Sequence, residues 1–151
     1  MTDVQGSGPT PDEITTWITT TWPDTRVVQA MGATFYSLTD DGWPNFATIV
    51  TTDEHDMGAP SNLTARPGVF RLNIGVGPTT MRATLGSMLE PAAKGYVPSP
   101  DIDYAALDTL LPHPVYAAQR WVSILNPSRA TFDNVLKPLI TEAHRLVRPG
   151  G

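Results

Sequence analysis

The sequence predicts a single α+β domain, in which an antiparallel sheet of about five strands is packed by an N-terminal and a C-terminal helix. Its 151 residues suit one hydrophobic core, and neither an internal repeat nor a second hydrophobic block is visible. Strand-like segments follow one another between residues 26 and 76, whereas helical patterns stand at the two ends of the chain. Residues 1–9 are mostly glycine, serine, proline and polar residues, so we expect a disordered lead-in before a domain over residues 10–148.

The first helix is expected to begin after Thr10. Thr10 is a suitable N-cap, Pro11 fits the first helical position, and Glu13 completes a T-x-x-E capping box. The apolar stripe at helical spacing consists of Ile14, Trp17 and Ile18, with Trp22 as a candidate continuation. Pro23 is expected to close the helix, since proline lacks the N–H group that a helix interior needs.

Four segments rich in β-branched and aromatic residues are separated by turn or loop residues and are expected to be strands, the first three of them an antiparallel meander. They span residues 26–31, 33–38, 46–51 and 69–76. The fourth segment alternates most regularly, which places Arg71 and Asn73 together on the face opposite its apolar side chains. A loop of about 16 residues, 53–68, precedes this strand and is long enough to suggest a functional role or mobility.

The second half of the chain is expected to hold short helices, one strand and a closing helix. The expected elements are short helices at 78–86 and 103–111, an irregular loop at 87–102 and a strand at 120–126. The closing helix has an apolar stripe formed by Val135, Leu136, Leu139, Ile140, Ala143, Leu146 and Val147. Pro138 interrupts this pattern, so we expect a kink or a late helix start.

The composition excludes several classes of function. The chain has no cysteine, which rules out disulfides, thiolate metal sites and cysteine nucleophiles. Its net charge of −5 opposes contact with a phosphate backbone, so nucleic acid is not the expected partner. No basic start precedes an apolar stretch, and no window approaches the roughly 18 apolar residues of a membrane span. We therefore expect a cytoplasmic protein.

The signatures of common cofactor and metal sites are missing. The sequence has no G-x-G-x-x-G, P-loop, G-x-S-x-G or H-E-x-x-H motif, and GVGPTT at 75–80 lacks the lysine that cradles phosphate. His55 stands among acidic residues in a loop without metal-ligand spacing, which favours a solvated acidic loop. His144 is expected at the surface of the closing helix. We expect neither a cofactor nor a metal.

Two stretches are long and unusual, RPGVFRLNIGV and PHPVYAAQRWVSILNP, and through them the chain resembles a bacterial family of unknown function. The resemblance spans about residues 12–147 and implies no activity. More remotely, RWVSILN followed by VLKPLITEAHRLV resembles the ending of the YjbR/MmcQ-like fold, in which a late strand precedes a closing helix. That fold is associated with DNA binding through basic residues near the late strand, where this chain has Arg120 and Arg129.

His113 is the candidate acid or base, because histidine titrates near neutral pH and two flanking prolines restrict its backbone. If it works beside Arg71, the positive charge should lower its pKa and leave the neutral base. The alternative is a rigid connector in which His113 bonds a carbonyl group. Both interpretations stay open.

Four further residues are candidates for ligand binding. Arg71 and Asn73 offer a cation and an amide on one strand face, with an acidic partner across the sheet as the alternative role for the arginine. Tyr116 and Trp121 either wall a pocket or belong to the core. Together these residues suggest a cofactor-independent protein that binds or converts a small anionic or polar ligand, as an isomerase, cyclase or hydrolase would. The alternative is a YjbR-like module that contacts a protein, less readily DNA, with a homodimer left open.

Overall fold

The computed structural model describes residues 8–41, 43–56, 58–92 and 95–148. The strands are β1 (Arg26–Ala30), β2 (Ala33–Ser37), β3 (Asn45–Val50), β4 (Arg71–Gly75), β5 (Leu89–Ala92), β6 (Gly95–Pro98), β7 (Leu111–Pro112) and β8 (Trp121–Leu125). Six of them form one antiparallel sheet in the order β1-β2-β3-β4-β8-β7, while β5 and β6 form a separate hairpin. The α+β class is confirmed, and the main sheet has six strands instead of about five.

The helices lie mainly at the two ends of the chain, as expected. They are α1 (Pro11–Thr21), α2 (Pro78–Leu85), α3 (Arg129–Thr131) and α4 (Lys137–Val147), with short 3₁₀ turns at Gly86–Met88 and Ala117–Gln119. None of the helices in the described ranges is long and apolar enough to cross a membrane.

The start of α1 confirms the predicted capping box. The Thr10 hydroxyl oxygen accepts a hydrogen bond from the Glu13 N–H at 3.1 Å, and the Thr10 N–H donates to the Glu13 carboxylate at 3.0 Å. The helix ends at Thr21, before Pro23. Residues 1–7 of the expected lead-in lie outside the described residues, whereas Pro9 is buried.

The main core lies on one face of the sheet, between the strands and the end helices. The apolar side of β4 confirms the alternation that the sequence predicts: Phe70, Leu72, Ile74 and Val76 are all buried there. From the helices, Ile14, Ile18, Leu136 and Ile140 are fully buried in the same cluster. Because each such side chain stabilises the fold by about 1.5–3 kcal/mol, this face is dedicated to packing. The opposite face of β4 is left for polar side chains.

The expected late start of the closing helix is wrong, because helical backbone begins at Arg129 and continues into α4, with a π-helical irregularity before Pro138. A π-helical turn over Phe132–Leu136 precedes α4, which begins at Lys137 with proline in its first turn. Proline has no N–H to continue the ladder, so the preceding turn widens. The predicted stripe is wrong at two positions, since Val135 and Leu146 are 39% and 47% exposed.

His144 is buried, and the expectation of a surface position is wrong. Its side chain lies on the same helical face as Ile140, one turn later. Its imidazole stacks on Trp22 with centroids 4.3 Å apart and meets the edge of Phe46 at 5.4 Å. Aromatic packing therefore overrides the polarity of the side chain.

The segment 103–111 is not a helix, contrary to the prediction. The segment begins with a turn, which is stabilised by a hydrogen bond from the Ala105 N–H to the Asp103 carboxylate at 3.0 Å. Leu107 then forms a parallel bridge with Leu125, and Asp108 takes a left-handed backbone with φ of 51°. These contacts hold the segment against β8. The loop expected at 87–102 also differs, because it contains the β5–β6 hairpin.

The loop at 53–68 folds onto the sheet face opposite the helices. Leu63 is 1% exposed there and packs in a second apolar cluster with Ala33, Val50, Val69 and Leu125. The Asp53 carboxylate shapes the loop by accepting the N–H groups of Leu63 and Thr64 at 2.9 and 3.1 Å. Burial raises the pKa of Asp53, but these hydrogen bonds outweigh it and hold the pKa below its usual value.

Candidate functional site

A cavity of about 620 Å³ lies between this loop and the sheet. All five residues that the sequence singles out line it: Arg71, Asn73, His113, Tyr116 and Trp121. The remaining lining residues are Phe35, Trp43, Pro44, Asn45, Thr48, Val50, His55 and Gln119. Its size falls in the range typical of small-molecule sites, and its walls combine aromatic rings with polar side chains.

The floor of the cavity is a row of polar side chains that crosses three neighbouring strands. Thr48 of β3 pairs with Asn73 of β4, which pairs with Ser123 of β8, so all three side chains share one face. The Ser123 hydroxyl donates to Asn73 Oδ1 at 2.7 Å, and Asn73 Nδ2 donates to Thr48 Oγ1 at 2.9 Å. The hydroxyl proton of Thr48 finds no acceptor among the described residues, so it is free to meet a ligand.

Arg71 is buried beneath the loop and is almost saturated with hydrogen bonds. Its guanidinium donates to both oxygens of Asp56, at 2.8 and 2.9 Å, and to Ser61 Oγ at 3.1 Å. Its Nε donates to Asn73 Oδ1 at 2.9 Å. Four of its five N–H groups are therefore used. The acidic partner comes from the 53–68 loop, not from a neighbouring strand.

His113 sits at the end of β7, with 5% of its surface exposed. Its imidazole Nδ1 accepts the backbone N–H groups of Val115 and Tyr116, at 2.9 and 3.0 Å. An acceptor at Nδ1 requires the tautomer with its proton on Nε2. The Nε2–H group has no partner among the described residues, which leaves it as the free donor of the ring.

The imidazole of His113 is neutral throughout the physiological pH range. Burial lowers the pKa of His113, and the charge of Arg71 lowers it further, to about 3. The direction agrees with the sequence-based expectation, although burial is the larger cause. With Nδ1 occupied and its proton on Nε2, His113 presents a hydrogen-bond donor to the cavity.

The β8 side of the cavity is walled by aromatic rings. The indole of Trp121 covers Gly75, its partner on β4, where an added Cβ would lie 3.2 Å from two indole carbons. Glycine leaves room for the ring here, since an added side chain would press against the indole. Tyr116 is half exposed, and its ring centroid lies 5.1 Å from that of His113.

On the β2 side, the wall consists of residues that the sequence did not predict to line a ligand site. The Phe35 ring meets His55 edge-on at 6.0 Å, and Trp43, 73% exposed, stands at the cavity mouth. Phe35 could have been inferred, since strand alternation puts it on the same face as Thr48. The loop residues His55 and Asp56 carry no periodic signal.

The acidic loop does not assemble a metal site in the part of the chain that the structure describes. No group of three or more histidine, aspartate or glutamate side chains has metal-binding geometry there. Asp56 is paired with Arg71, and His55 Nε2 lies 3.0 Å from the Met31 carbonyl oxygen.

The donor groups of the GVGPTT segment that could bind phosphate are already bound to the Glu142 carboxylate. The Gly77 N–H at the start of α2 donates to Glu142 of α4 at 2.7 Å, and the Thr80 hydroxyl donates to the same carboxylate at 2.6 Å. Glu142 thus occupies the place that an anion would take at this helix N-terminus.

Comparison with known proteins identifies a family whose function is unknown. Residues 9–149 match a family described as a family of unknown function, DUF6194. No curated protein and no solved structure matches the chain. The match covers nearly the whole sequence, and the protein therefore belongs to the DUF6194 family.

Proposed function

We propose that the protein binds a small molecule in this cavity without a cofactor, and that His113 donates a hydrogen bond to an oxygen of that molecule. The main support for the proposal is that His113 Nδ1 accepts two backbone N–H groups. These hydrogen bonds fix the proton of the imidazole on Nε2. In this proposal His113 acts as a neutral hydrogen-bond donor, instead of the acid or base expected from the sequence. A base whose pKa is about 3 is far from the value near 7 at which proton transfer is most efficient.

A neutral imidazole donor suits chemistry at a carbonyl group. In a buried site it stabilises negative charge that develops on the oxygen, and it does so without the cost of burying an imidazolium. Isomerases, cyclases and hydrolases all have steps in which a carbonyl oxygen gains charge. The cavity supports this class of reaction, with Thr48 as a second neutral donor at its floor.

The test separates the donor of His113 from its structural role. In His113→Asn, the amide oxygen takes the place of Nδ1 and accepts the same backbone N–H groups, while the Nε2 donor is lost. In His113→Ala both are lost. Arg129→Gln, which alters an exposed ion pair with Glu13, serves as the control outside the cavity.

The three variants and the wild type are incubated with a metabolite pool, and bound or converted compounds are identified by mass spectrometry. We expect His113→Asn to melt near the wild-type temperature and to lose at least tenfold in binding or turnover. His113→Ala is expected to melt at a lower temperature. If His113→Asn retains full ligand binding and turnover, the proposed role of His113 is wrong.

A second candidate is an interaction module of the YjbR/MmcQ-like type, with a protein partner favoured over DNA. Strand β1 favours it: this edge strand is exposed at all five positions, including Val27 and Val28. An open strand edge is a site where another chain can add a strand. Light scattering that gives only monomers, together with no duplex DNA binding at low salt, would argue against self-association and DNA contact. The cytoplasm is the expected location under either proposal.

A further inference from the structure

The cavity contains one fixed charge, and that charge is cancelled within the protein. Of the described residues that line it, Arg71 is the only one with a permanent charge. Asp56 faces its guanidinium through a two-pronged ion pair in which both side chains are 1% exposed. The site therefore presents no unpaired cation to a ligand.

This pairing makes an anionic ligand unfavourable. A carboxylate or phosphate that enters a buried site loses its hydration and must recover that free energy from a cation. Both terminal nitrogens of Arg71 donate hydrogen bonds to Asp56. A second anion beside Arg71 would be repelled by the negative charge of Asp56. The neutral imidazole of His113 adds no positive charge.

Three of the buried or half-buried residues that line the cavity keep a donor group without a partner among the described residues. These donors are the Nε2–H of His113, the hydroxyl proton of Thr48 and one N–H of Arg71, whereas the Tyr116 and Gln119 side chains are exposed. A ligand that satisfies them must bring hydrogen-bond acceptors, such as carbonyl oxygens or ring nitrogens. Acceptors of this kind need not carry charge.

Aromatic rings stand on both sides of the polar floor. Phe35 and Trp43 lie on the β2 side, and Tyr116 and Trp121 lie on the β8 side. The two sides are three strands apart, or about 14 Å at roughly 4.8 Å per strand. Rings that flank a slot offer stacking and edge contacts to a planar molecule.

We propose, building on the proposed function, that the ligand is an uncharged aromatic molecule with a carbonyl or ring-nitrogen acceptor, and that the Asp56–Arg71 pair excludes anionic analogues. The charge balance, the free donors and the two aromatic walls support this substrate class independently. The pair thus sets specificity in addition to fastening the loop.

Matched pairs of probes test the ligand class on the wild-type protein. The amides are indole-3-carboxamide and 2-naphthamide, and the anions are indole-3-carboxylate and 2-naphthoate, each titrated calorimetrically at pH 7.5. We expect each amide to bind at least tenfold more tightly than its carboxylate. Equal or tighter binding of the carboxylates overturns the ligand class but leaves a small-molecule site in place.

A complete lack of binding by all four probes also overturns the ligand class. The metabolite-pool experiment then decides the proposed function separately. A pool ligand that depends on His113 but is anionic or lacks an aromatic ring means that only the ligand class is wrong. No pool ligand at all means that both proposals are wrong.

Asp56→Asn tests the cause of the selectivity, because it removes the counter-charge and leaves the Arg71 guanidinium in place. We expect the carboxylate probes to bind at least tenfold more tightly to this variant than to the wild type. Asp133→Asn, which changes the net charge equally on the exposed helix surface, should leave all four affinities unchanged. A folded Asp56→Asn protein with wild-type selectivity overturns the role of the pair.

The double variant Asp56→Leu with Arg71→Met covers the case in which Asp56→Asn fails to fold. It replaces both charges by apolar groups, which is often neutral for stability at buried pairs. The expected result is tight amide binding and weak carboxylate binding. A preference for carboxylates in this variant contradicts the proposal.

Discussion

Asp56 and Arg71 lie fifteen residues apart in the chain and meet through two parallel hydrogen bonds of 2.8 and 2.9 Å, both side chains almost fully buried. The contact fastens the 53–68 loop to β4 and holds Arg71, which lines the cavity. It also links stability to the candidate site, because neither charge can be removed without leaving the other buried and unpaired.

Asp56→Ala is expected to lower the free energy of unfolding by about 3–5 kcal/mol, because it leaves the Arg71 guanidinium buried without its counter-charge. The double variant Asp56→Leu with Arg71→Met should cost much less than Asp56→Ala alone. Urea titrations of the single and double variants measure both quantities. A loss below about 1 kcal/mol in Asp56→Ala would contradict a tightly coupled pair.

The unfolding free energy is expected to fall with decreasing pH through His113. Its pKa is about 3 in the folded protein and near 6.5 when unfolded, so the unfolded state binds more protons below pH 6.5. The stabilising effect of neutral His113 is fully present above pH 6.5 and is lost as the pH approaches 3. Between pH 6.5 and pH 4 the loss is about 3 kcal/mol.

Comparing the wild type with His113→Asn isolates this contribution from that of the carboxylates. The variant is expected to lose less free energy of unfolding between pH 6.5 and pH 4 than the wild type does. Nuclear magnetic resonance of the imidazole nitrogens should show a neutral ring at pH 5. Identical pH dependence of the two proteins would rule out the lowered pKa.

His144→Phe is expected to stabilise the protein. The imidazole Nε2 of His144 is buried and has no hydrogen-bond partner in the part of the chain that the structure describes. Burial also lowers the pKa of His144. Phenylalanine keeps the stacking on Trp22 and removes the unsatisfied polar atom, a gain of about 1 kcal/mol. A thermal melt at pH 7 measures the effect, and a lower melting temperature would contradict it.

Gly75→Ala is expected to destabilise the protein by about 1 kcal/mol and to move the Trp121 indole, since the new Cβ would lie 3.2 Å from two of its carbons. Gly86→Ala is the matched control, because its Cβ would meet only Arg82 at 3.8 Å in a helical backbone. The control should gain a few tenths of a kcal/mol. Thermal melts and indole fluorescence distinguish the two, and an undisturbed Trp121 in Gly75→Ala would contradict the close contact.

Strand alternation predicted the shared face of two residues of the candidate site, because it depends only on local geometry. A period of two residues was enough to place Arg71 and Asn73 on one face of β4, away from the core. The capping box at Thr10 was equally local and was confirmed. The partner of Arg71 could not be predicted, since Asp56 lies in a loop without periodicity and reaches the sheet only through tertiary folding.

The missed strand β7 and the wrong helix at 103–111 have a common physical cause. β7 is two residues long and contains Pro112, so neither length nor propensity marks it. It forms because β8 offers an unpaired edge to the segment that contains Leu111. The same edge captures Leu107, which ends the helical pattern expected there. Contacts with a distant strand override local preference in this part of the chain.

The orientation of the Asn73 carboxamide has a consequence for the dynamics of the floor. Arg71 and Ser123 both donate to Asn73 Oδ1. A flip of the amide would place the Asn73 NH₂ group, itself a donor, opposite these two donors and break both hydrogen bonds. The amide orientation is therefore fixed, and Thr48 Oγ1 accepts from Asn73, which leaves the Thr48 hydroxyl as a donor. The hydrogen bonds within the protein fix the polarity of the floor, so the donors of the candidate site are preorganised.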